Sequence, residues 1–357
     1  MFLKEKLVSI IVPMFNSEKY ITTTLDSFVS QSYKNIEVIV VDDGSKDNSA
    51  EIVKEYAIKK SKVRYIYQDN YGAPTARNLG LENSNGDYVI FFDSDDVMAD
   101  RAVELFIKEL EKTDSDLIIG DYKYINKNNL QIDSPTNPYF NEFINEFPTY
   151  ELLAFLDPIP GNKMYKKSFL INHNIIFDNV KIGQDLNFYL KAIGNEAQIA
   201  LVSETALYYR VHEGSISKTY KKTITDIVNS FKHIEKHQYN LFIKKPFIMP
   251  TLKYNHYTYQ ILKVPKIKSK ASRQYVYDLF SIEFERISRD SIIREFVSVN
   301  PKLIYLILKF RNFYTSDFLS KILRLKRIFM SKNLVRGWNE WWIFLRKKIL
   351  KNSEIIL

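Results

Sequence analysis

The chain has 357 residues, 45% hydrophobic and 26% charged, which suits one large domain with a smaller one and excludes a disordered chain. It has no cysteine, so disulfides, thiolate metal sites and cysteine nucleophiles are excluded, and a reducing compartment fits. The net charge is +9, yet residues 301–357 carry 13 of the 51 Lys and Arg against 3 of the 42 Asp and Glu, so the basic character belongs to the tail and argues against a whole-chain nucleic-acid binder.

The first fifteen residues, MFLKEKLVSIIVPMF, pair lysines with an apolar stretch, but Pro13 interrupts it and no small-residue cleavage site follows, so no leader is expected. No apolar run approaches the roughly 20 residues of a spanning helix. LVSIIV (7–12), IEVIVV (36–41), VRYIY (63–67) and DYVIFF (87–92) are β-branched or aromatic runs, the pattern of buried parallel strands. Helical periods lie between them. Ile21, Leu25 and Phe28 share one face of the first, and Ala50, Val53 and Ala57 one face of the second, which starts after the caps Asp47 or Ser49. Asp100 is placed to cap a third, with Val103, Phe106, Ile107 and Leu110 inward. Strand–helix alternation at this spacing predicts an α/β doubly wound sheet. Residues 121–160 read as irregular and proline-rich, and from about 220 the pattern is helical, aromatic and lysine-rich.

In an open α/β sheet, ligands bind beyond the carboxyl ends of the strands. That rule gathers Asp42 and Asp43, Asp69, and the trio Asp93, Asp95 and Asp96 along one edge. Each alone is as well explained by a cap or turn, where Asp is common. Together they raise a physical question, because three adjacent carboxylates repel and are expensive to bury unpaired. Asp-x-Asp on a turn offers hard oxygen ligands for Mg²⁺ or Mn²⁺, an ion that also binds substrate phosphates. Neither a Walker motif nor a G-x-G-x-x-G follows the first strand, so glycine-loop phosphate binding is not expected. His233 and His237 lie in HIEKH, which is not a zinc-protease motif and reads as a solvated helix face.

The segments SIIVPMFN (9–16), VVDDGSKDNS (40–49), QDNYGAPTARNLG (68–80), GDYVIFFDSDD (86–96), GQDLNF (183–188) and YYRVHEGSIS (208–217) resemble, in order, the motifs of glycosyltransferase family 2. The resemblance implies a GT-A fold, a mostly parallel Rossmann-like sheet flanked by helices, and inverting transfer from a nucleotide-diphospho-sugar. By position it implies Pro13, Asn16, Asp42, Asp43, Asp69, Asn70, Gly72, Arg77, Asp93 and Ser94 at the donor nucleotide, with Asp42 on the uracil and Arg77 approaching the nucleotide or its phosphates. Asp96, Arg210, Ser215 and Ser217 fall to the donor sugar or diphosphate, and Asp95 and His212 to a Mn²⁺ or Mg²⁺ ion. Asp185 matches the general base that takes the acceptor's proton. The family usually has Glu-Asp where this chain has Gln184-Asp185, which lowers like-charge repulsion on the base. Asn162, Lys163 and Gln184 are weaker candidates for the acceptor, and a helix start with solvated lysines explains the first two equally well.

In the tail, Trp338, Trp341, Trp342, Leu345 and Ile349 share a helical face, with Arg346, Lys347, Lys348 and Lys351 around it. Basic residues interleaved with Trp and Leu suit an anionic membrane surface; a helical core or a dimer contact is the alternative. The resulting expectation is a GT-A domain (1–219), a helical region (220–300) and a basic amphipathic tail (301–357). The chain would move a hexose or N-acetylhexosamine from a UDP-sugar to a glycan or lipid-linked glycan, in the cytoplasm at the inner face of the membrane. The alternatives are a UDP-sugar-binding assembly partner impaired in catalysis and a sugar-nucleotide nucleotidyltransferase. The latter requires a glycine-rich, arginine-containing loop where this chain has VPMFN.

Overall fold

The computed structural model describes residues 5–129, 131, 156–212 and 222–288, apart from positions 247, 262, 263, 265 and 266. Ser215, Ser217 and the amphipathic tail lie outside the described residues. These fall into two compact units, one reaching from the N-terminus to 212 together with 226–248, the other comprising 222–225 and 249–288.

The first unit is built on a mixed eight-stranded sheet of order β3-β2-β1-β4-β7-β6-β8-β5. Strands β1 (Val8–Met14), β2 (Ile36–Asp42), β3 (Val63–Tyr67) and β4 (Tyr88–Phe91) run parallel, as their apolar runs predict. β1 and β4 are buried throughout because helices cover both faces of this half. Helices α1 (Ile21–Val29), α2 (Ser49–Lys59) and α4 (Ala102–Thr113) belong with the larger core, where Ile21, Leu25 and Phe28 meet Val8, Ile10 and Val12, and where Val103, Phe106, Ile107 and Leu110 are also buried. On the opposite face α3 (Ala73–Glu82) packs Ala76 and Leu79 against Ile39 and Val41. The cap of α2 is Asn48, but Asp47 still does capping work, since its Oδ1 accepts the Ser49 amide at 3.0 Å. Arg101, rather than Asp100, stands at the cap of α4.

Beyond β4 the sheet changes direction. β7 (Lys163–Lys166) pairs antiparallel with both β4 and β6 (Leu117–Ile125). β8 (Ile199–Arg210) runs parallel to β6 and antiparallel to the two-residue β5 (Val97–Met98). Val97 lies opposite Tyr208. That register delivers the end of β8 to the turn just before β5, which holds Asp93, Asp95 and Asp96. After β7 come α5 (Lys167–Asn172) and α6 (Gln184–Gly194). An aromatic cluster fixes α6: Phe188 stacks on Phe177 at 4.0 Å and meets Phe91 and Tyr165 edge-on at 5.1 and 5.2 Å. Burying side chains of this size stabilises by about 1.5–3 kcal/mol each.

Helices α7 (Asp226–Lys236) and α8 (Asn240–Lys244) complete this unit. His233 and His237 are exposed, as the solvated-face reading expected. In the second unit, α9 (Ile248–Ile261, from Met249 on) and α10 (Lys270–Ser288) meet through Tyr257 and Phe280, whose rings are 5.4 Å apart. No helix of the described residues is long and apolar enough to cross a membrane.

Candidate active site

The carboxyl ends of β1, β2 and β4 form one rim. Asn16, at φ +50°, closes the loop after β1: its amide donates to Ser45 Oγ at 3.0 Å and its Oδ1 accepts the Lys46 amide at 2.8 Å. Pro13 lies buried beside Val41 in the register. Asp42, also buried, accepts the Ser45 amide at 2.9 Å and the Tyr65 hydroxyl at 2.7 Å. Asp43 braces the loop after β3. Its carboxylate accepts Gln68 Nε2 at 2.7 Å, the Tyr71 amide at 2.9 Å and the Gly72 amide at 2.9 Å. Gly72 sits at φ +96°, a conformation that a side chain strains, and Asp69 and Asn70 stand exposed beside it. Phe15, Tyr67 and Tyr71 are exposed aromatics on these same loops. The sequence reading did not single them out, although an aromatic next to an acidic loop was the available signal.

The turn after β4 answers the question its three acids raise. Each has its own partner. Asp93 Oδ1 accepts Arg77 Nη2 at 2.6 Å. Asp95 Oδ2 lies 2.7 Å from His212 Nε2. Asp96, buried, accepts the backbone amide of Arg210 at 2.7 Å. Ser94 and Ser17 share a hydroxyl contact of 2.7 Å that ties this turn to the loop after β1. Burial first, then Asp93, pushes the Asp95 carboxyl up, against the pull of His212. Burial and the neighbouring acids Asp95 and Asp93 push Asp96 well above the ordinary carboxylate range. Arg210 turns inward: its Nε donates to the Asp95 carbonyl at 2.5 Å and its guanidinium lies 5.0 Å over the Tyr20 ring. The His212 ring lies 5.0 Å from the same tyrosine. Tyr20 thus backs both residues that β8 brings to the turn, and no sequence motif marked it.

Asp185 opens α6. Gly183 precedes it at φ +86°, where a Cβ would lie 2.8 Å from Ser230 Oγ and 2.9 Å from Ile227, so glycine is required for α7 to pack here. Its Oδ1 lies 3.0 Å from Arg77 Nη1. Burial raises the Asp185 pKa; Arg77 and Lys163 oppose that rise and Asp93 adds to it. A raised carboxylate is a better proton acceptor near neutral pH. Gln184 Oε1 is buried with no hydrogen-bond partner among the described residues.

Asn162 and Lys163 are buried, with Lys163 on β7 rather than at a solvated helix start. A register shift in β6 accompanies Gly120, whose carbonyl accepts Asn162 Nδ2 at 2.6 Å. Lys163 Nζ donates to the carbonyls of Asp157 and Ile159 at 2.6 and 2.9 Å and to Asn162 Oδ1 at 3.0 Å. Burial pushes its pKa down to about 7, while Asp157 and Asp185 hold the proton on. Arg77, expected at the nucleotide, is likewise buried, and its charge goes to the two carboxylates Asp93 and Asp185.

Asp95 and His212 supply one oxygen and one imidazole nitrogen, a pair that a divalent ion such as Mn²⁺ accepts. Among the described residues no group of three or more His, Asp or Glu could hold a metal. A site with two protein ligands suits an ion whose other positions fall to phosphate oxygens and water.

A family model, Glycosyl transferase family 2, matches residues 9–173. Over 251 residues the chain is 32% identical to glycosyltransferase GlyA of Streptococcus pneumoniae, covering 64% of this chain and 36% of that protein, little more than a third of the relative's length. It is 30% identical over 236 residues to GlyG of the same species, covering 60% and 74%. It is also 30% identical over 256 residues to an uncharacterized glycosyltransferase of Haemophilus influenzae, covering 67% and 97%. Among solved structures, S. aureus TarS in complex with UDP-GlcNAc superposes with a TM-score of 0.55 at 23% identity, covering 84% of this chain and 77% of that one. The mannosyltransferase PcManGT from Pyrobaculum calidifontis, in complex with GDP-Man and Mn²⁺, gives 0.57 at 16%, covering 98% and 87%. These two likenesses speak to the fold.

Proposed function

The chain belongs to glycosyl transferase family 2 and has the GT-A fold of its structural neighbours, and on that footing we propose that it transfers a hexose or N-acetylhexosamine from a UDP-sugar, with inversion, to a glycan or lipid-linked glycan. One observation carries this reading. The turn after β4 joins Asp95 and His212, a pair suited to a divalent ion, to the partly exposed carboxylate of Asp185 through Asp93 and Arg77.

The loops after β1, β2 and β3 receive the nucleotide. Asp42 stands at the base, and the exposed ring of Phe15 offers it a stacking face. Asp95 and His212 would hold Mn²⁺ or Mg²⁺, which would supply charge stabilisation for the departing diphosphate. Asp185 takes the proton of the acceptor hydroxyl as its oxygen attacks the anomeric carbon; the bond to the diphosphate breaks and UDP leaves with the electron pair. Arg210, turned inward at the same turn, contributes positive charge beside the diphosphate. The basic, tryptophan-bearing tail fits attachment to the inner, cytoplasmic face of an anionic membrane, which sedimentation with anionic but not neutral vesicles checks.

Calorimetry with UDP tests the donor reading. Binding is expected with Mn²⁺ and is expected to weaken in EDTA and in His212→Ala. Preference for GDP, or no nucleotide binding at all, overturns it.

A further inference from the structure

Among the described residues, Arg77 is the one charged side chain that touches both the donor-side turn and the base. Its guanidinium is buried, with only 4% of the side chain exposed, while Asp93 and Asp185 remain about one third exposed. The two contacts differ in kind. To Asp93 Oδ1 it makes an aligned hydrogen bond of 2.6 Å. To Asp185 Oδ1 it lies at 3.0 Å, yet Nη1 and Oδ1 do not meet in hydrogen-bond geometry, and Nε is buried without a partner as well. The face of the guanidinium rests 5.1 Å from the Phe177 ring, itself stacked on Phe188 of α6. The arginine is therefore fixed from three sides: by Asp93, by the aromatic cluster and by its own place on α3.

That arrangement suits a base. A carboxylate that must accept a proton has to stay charged, but a well-formed hydrogen bond from a cation would lower its basicity further. An offset ion pair at Oδ1 supplies the charge at less cost in basicity and leaves Oδ2 for the proton. Resting on the reading of Asp185 as the base, we propose that Arg77 is a positioning residue which, anchored on Asp93, holds the Asp185 carboxylate by charge while leaving it free to take the acceptor's proton, and so couples the donor-binding turn to the base.

Among the described residues, the groups that face Asp185 are few. Arg77 comes from α3, Asp93 from the turn after β4, and Lys163 and Tyr165 from β7. α7 meets the Gly183 turn with Ile227 and Ser230, neither of them ionisable. Asp178 is engaged farther along α6 by Lys191, at 2.7 Å. Of the cations, Arg77 opposes the effect of burial on Asp185 most strongly, so the sign of each perturbation is fixed.

The test is the acid limb of the rate of UDP release at saturating donor, measured across pH on the full chain. Arg77→Gln should move the limb up by about 1–3 pH units, the size of one adjacent opposite charge. Asp93→Asn should move it down, because a like charge is removed and the arginine is left to Asp185 alone. Should Arg77→Gln fail to fold, by circular dichroism, the Asp93→Asn limb decides. A merely structural arginine would lower the rate at every pH and leave the limb in place, and limbs that do not move, or that move the same way in both variants, overturn the proposal. UDP binding by calorimetry runs alongside. Wild type that binds UDP with unmoved limbs refutes the coupling alone, whereas wild type that binds no UDP refutes the donor reading and this inference with it.

Discussion

Asp43→Ala separates a brace from a ligand. In the family resemblance Asp43 faces the donor nucleotide, but in the structure three buried or loop donors converge on it: Gln68 Nε2 and the amides of Tyr71 and Gly72. A hydrogen bond to a charged group contributes about 1.5–3 kcal/mol, and a buried donor left unpaired costs about 1–3 kcal/mol. Gln68 is buried and bears the full penalty, whereas the Tyr71 amide bond is only partly buried and water replaces part of it. The net expectation is a loss of about 2–4 kcal/mol, confined to the loop after β3 and its link to β2. Hydrogen exchange reads this locally. At 1.4 kcal/mol per tenfold, an opening easier by about 2 kcal/mol speeds exchange of the Gly72 amide roughly 30-fold. Asp43→Asn keeps one oxygen but sets an amide group against the Gly72 N–H, so it should fall between wild type and alanine. Unchanged exchange at Tyr71 and Gly72 in Asp43→Ala, with nucleotide affinity lost, would refute the brace and return Asp43 to the ligand.

Lys163→Met should lower stability by about 2–4 kcal/mol by stranding three acceptors, with the acceptor KM little changed in the protein that folds; urea denaturation and kinetics check the two halves. His212→Ala should weaken Mn²⁺-dependent UDP binding by tenfold or more while leaving metal-free binding unchanged, which titration calorimetry reads directly. Activity of the wild type should fall as pH drops through the Asp185 pKa, because the base works only when deprotonated; that limb should lie above the ordinary carboxylate value of about 4, and its absence would show that Asp185 is not the base.

The strands and the gathering of acids were legible because both follow from local pattern and topology. Runs such as VSIIV admit little but a buried strand, and the end of such a strand is where its loop must go. The partners of the acids were not legible. Arg77 reaches Asp185 only because α3 and α6 flank the same aromatic cluster, and the register of β5 against β8 alone decides that Arg210 and His212 land on Asp95 and Asp96. The burial of Asn162 and Lys163 was not legible for a related reason. Polar residues in a short segment read as surface, yet the shifted register of β6 sets the carbonyl of Gly120 where Asn162 Nδ2 can bond it, and the turn at 157–162 supplies carbonyls that a buried lysine can satisfy. From sequence alone three adjacent carboxylates call for a cation; the structure gives them Arg77, His212 and the Arg210 amide as partners.

The most direct measurement of the central claim is release of UDP from a panel of UDP-sugars, with Mn²⁺ or with EDTA, by wild type and Asp185→Ala in the presence of a lipid-linked or glycan acceptor mixture. The account predicts metal-dependent release from one sugar in the panel, reduced at least 100-fold in Asp185→Ala while UDP binding persists. Equal release by wild type and variant would contradict the assignment of the base, and release from no sugar by a chain that binds no UDP would contradict the donor site as a whole.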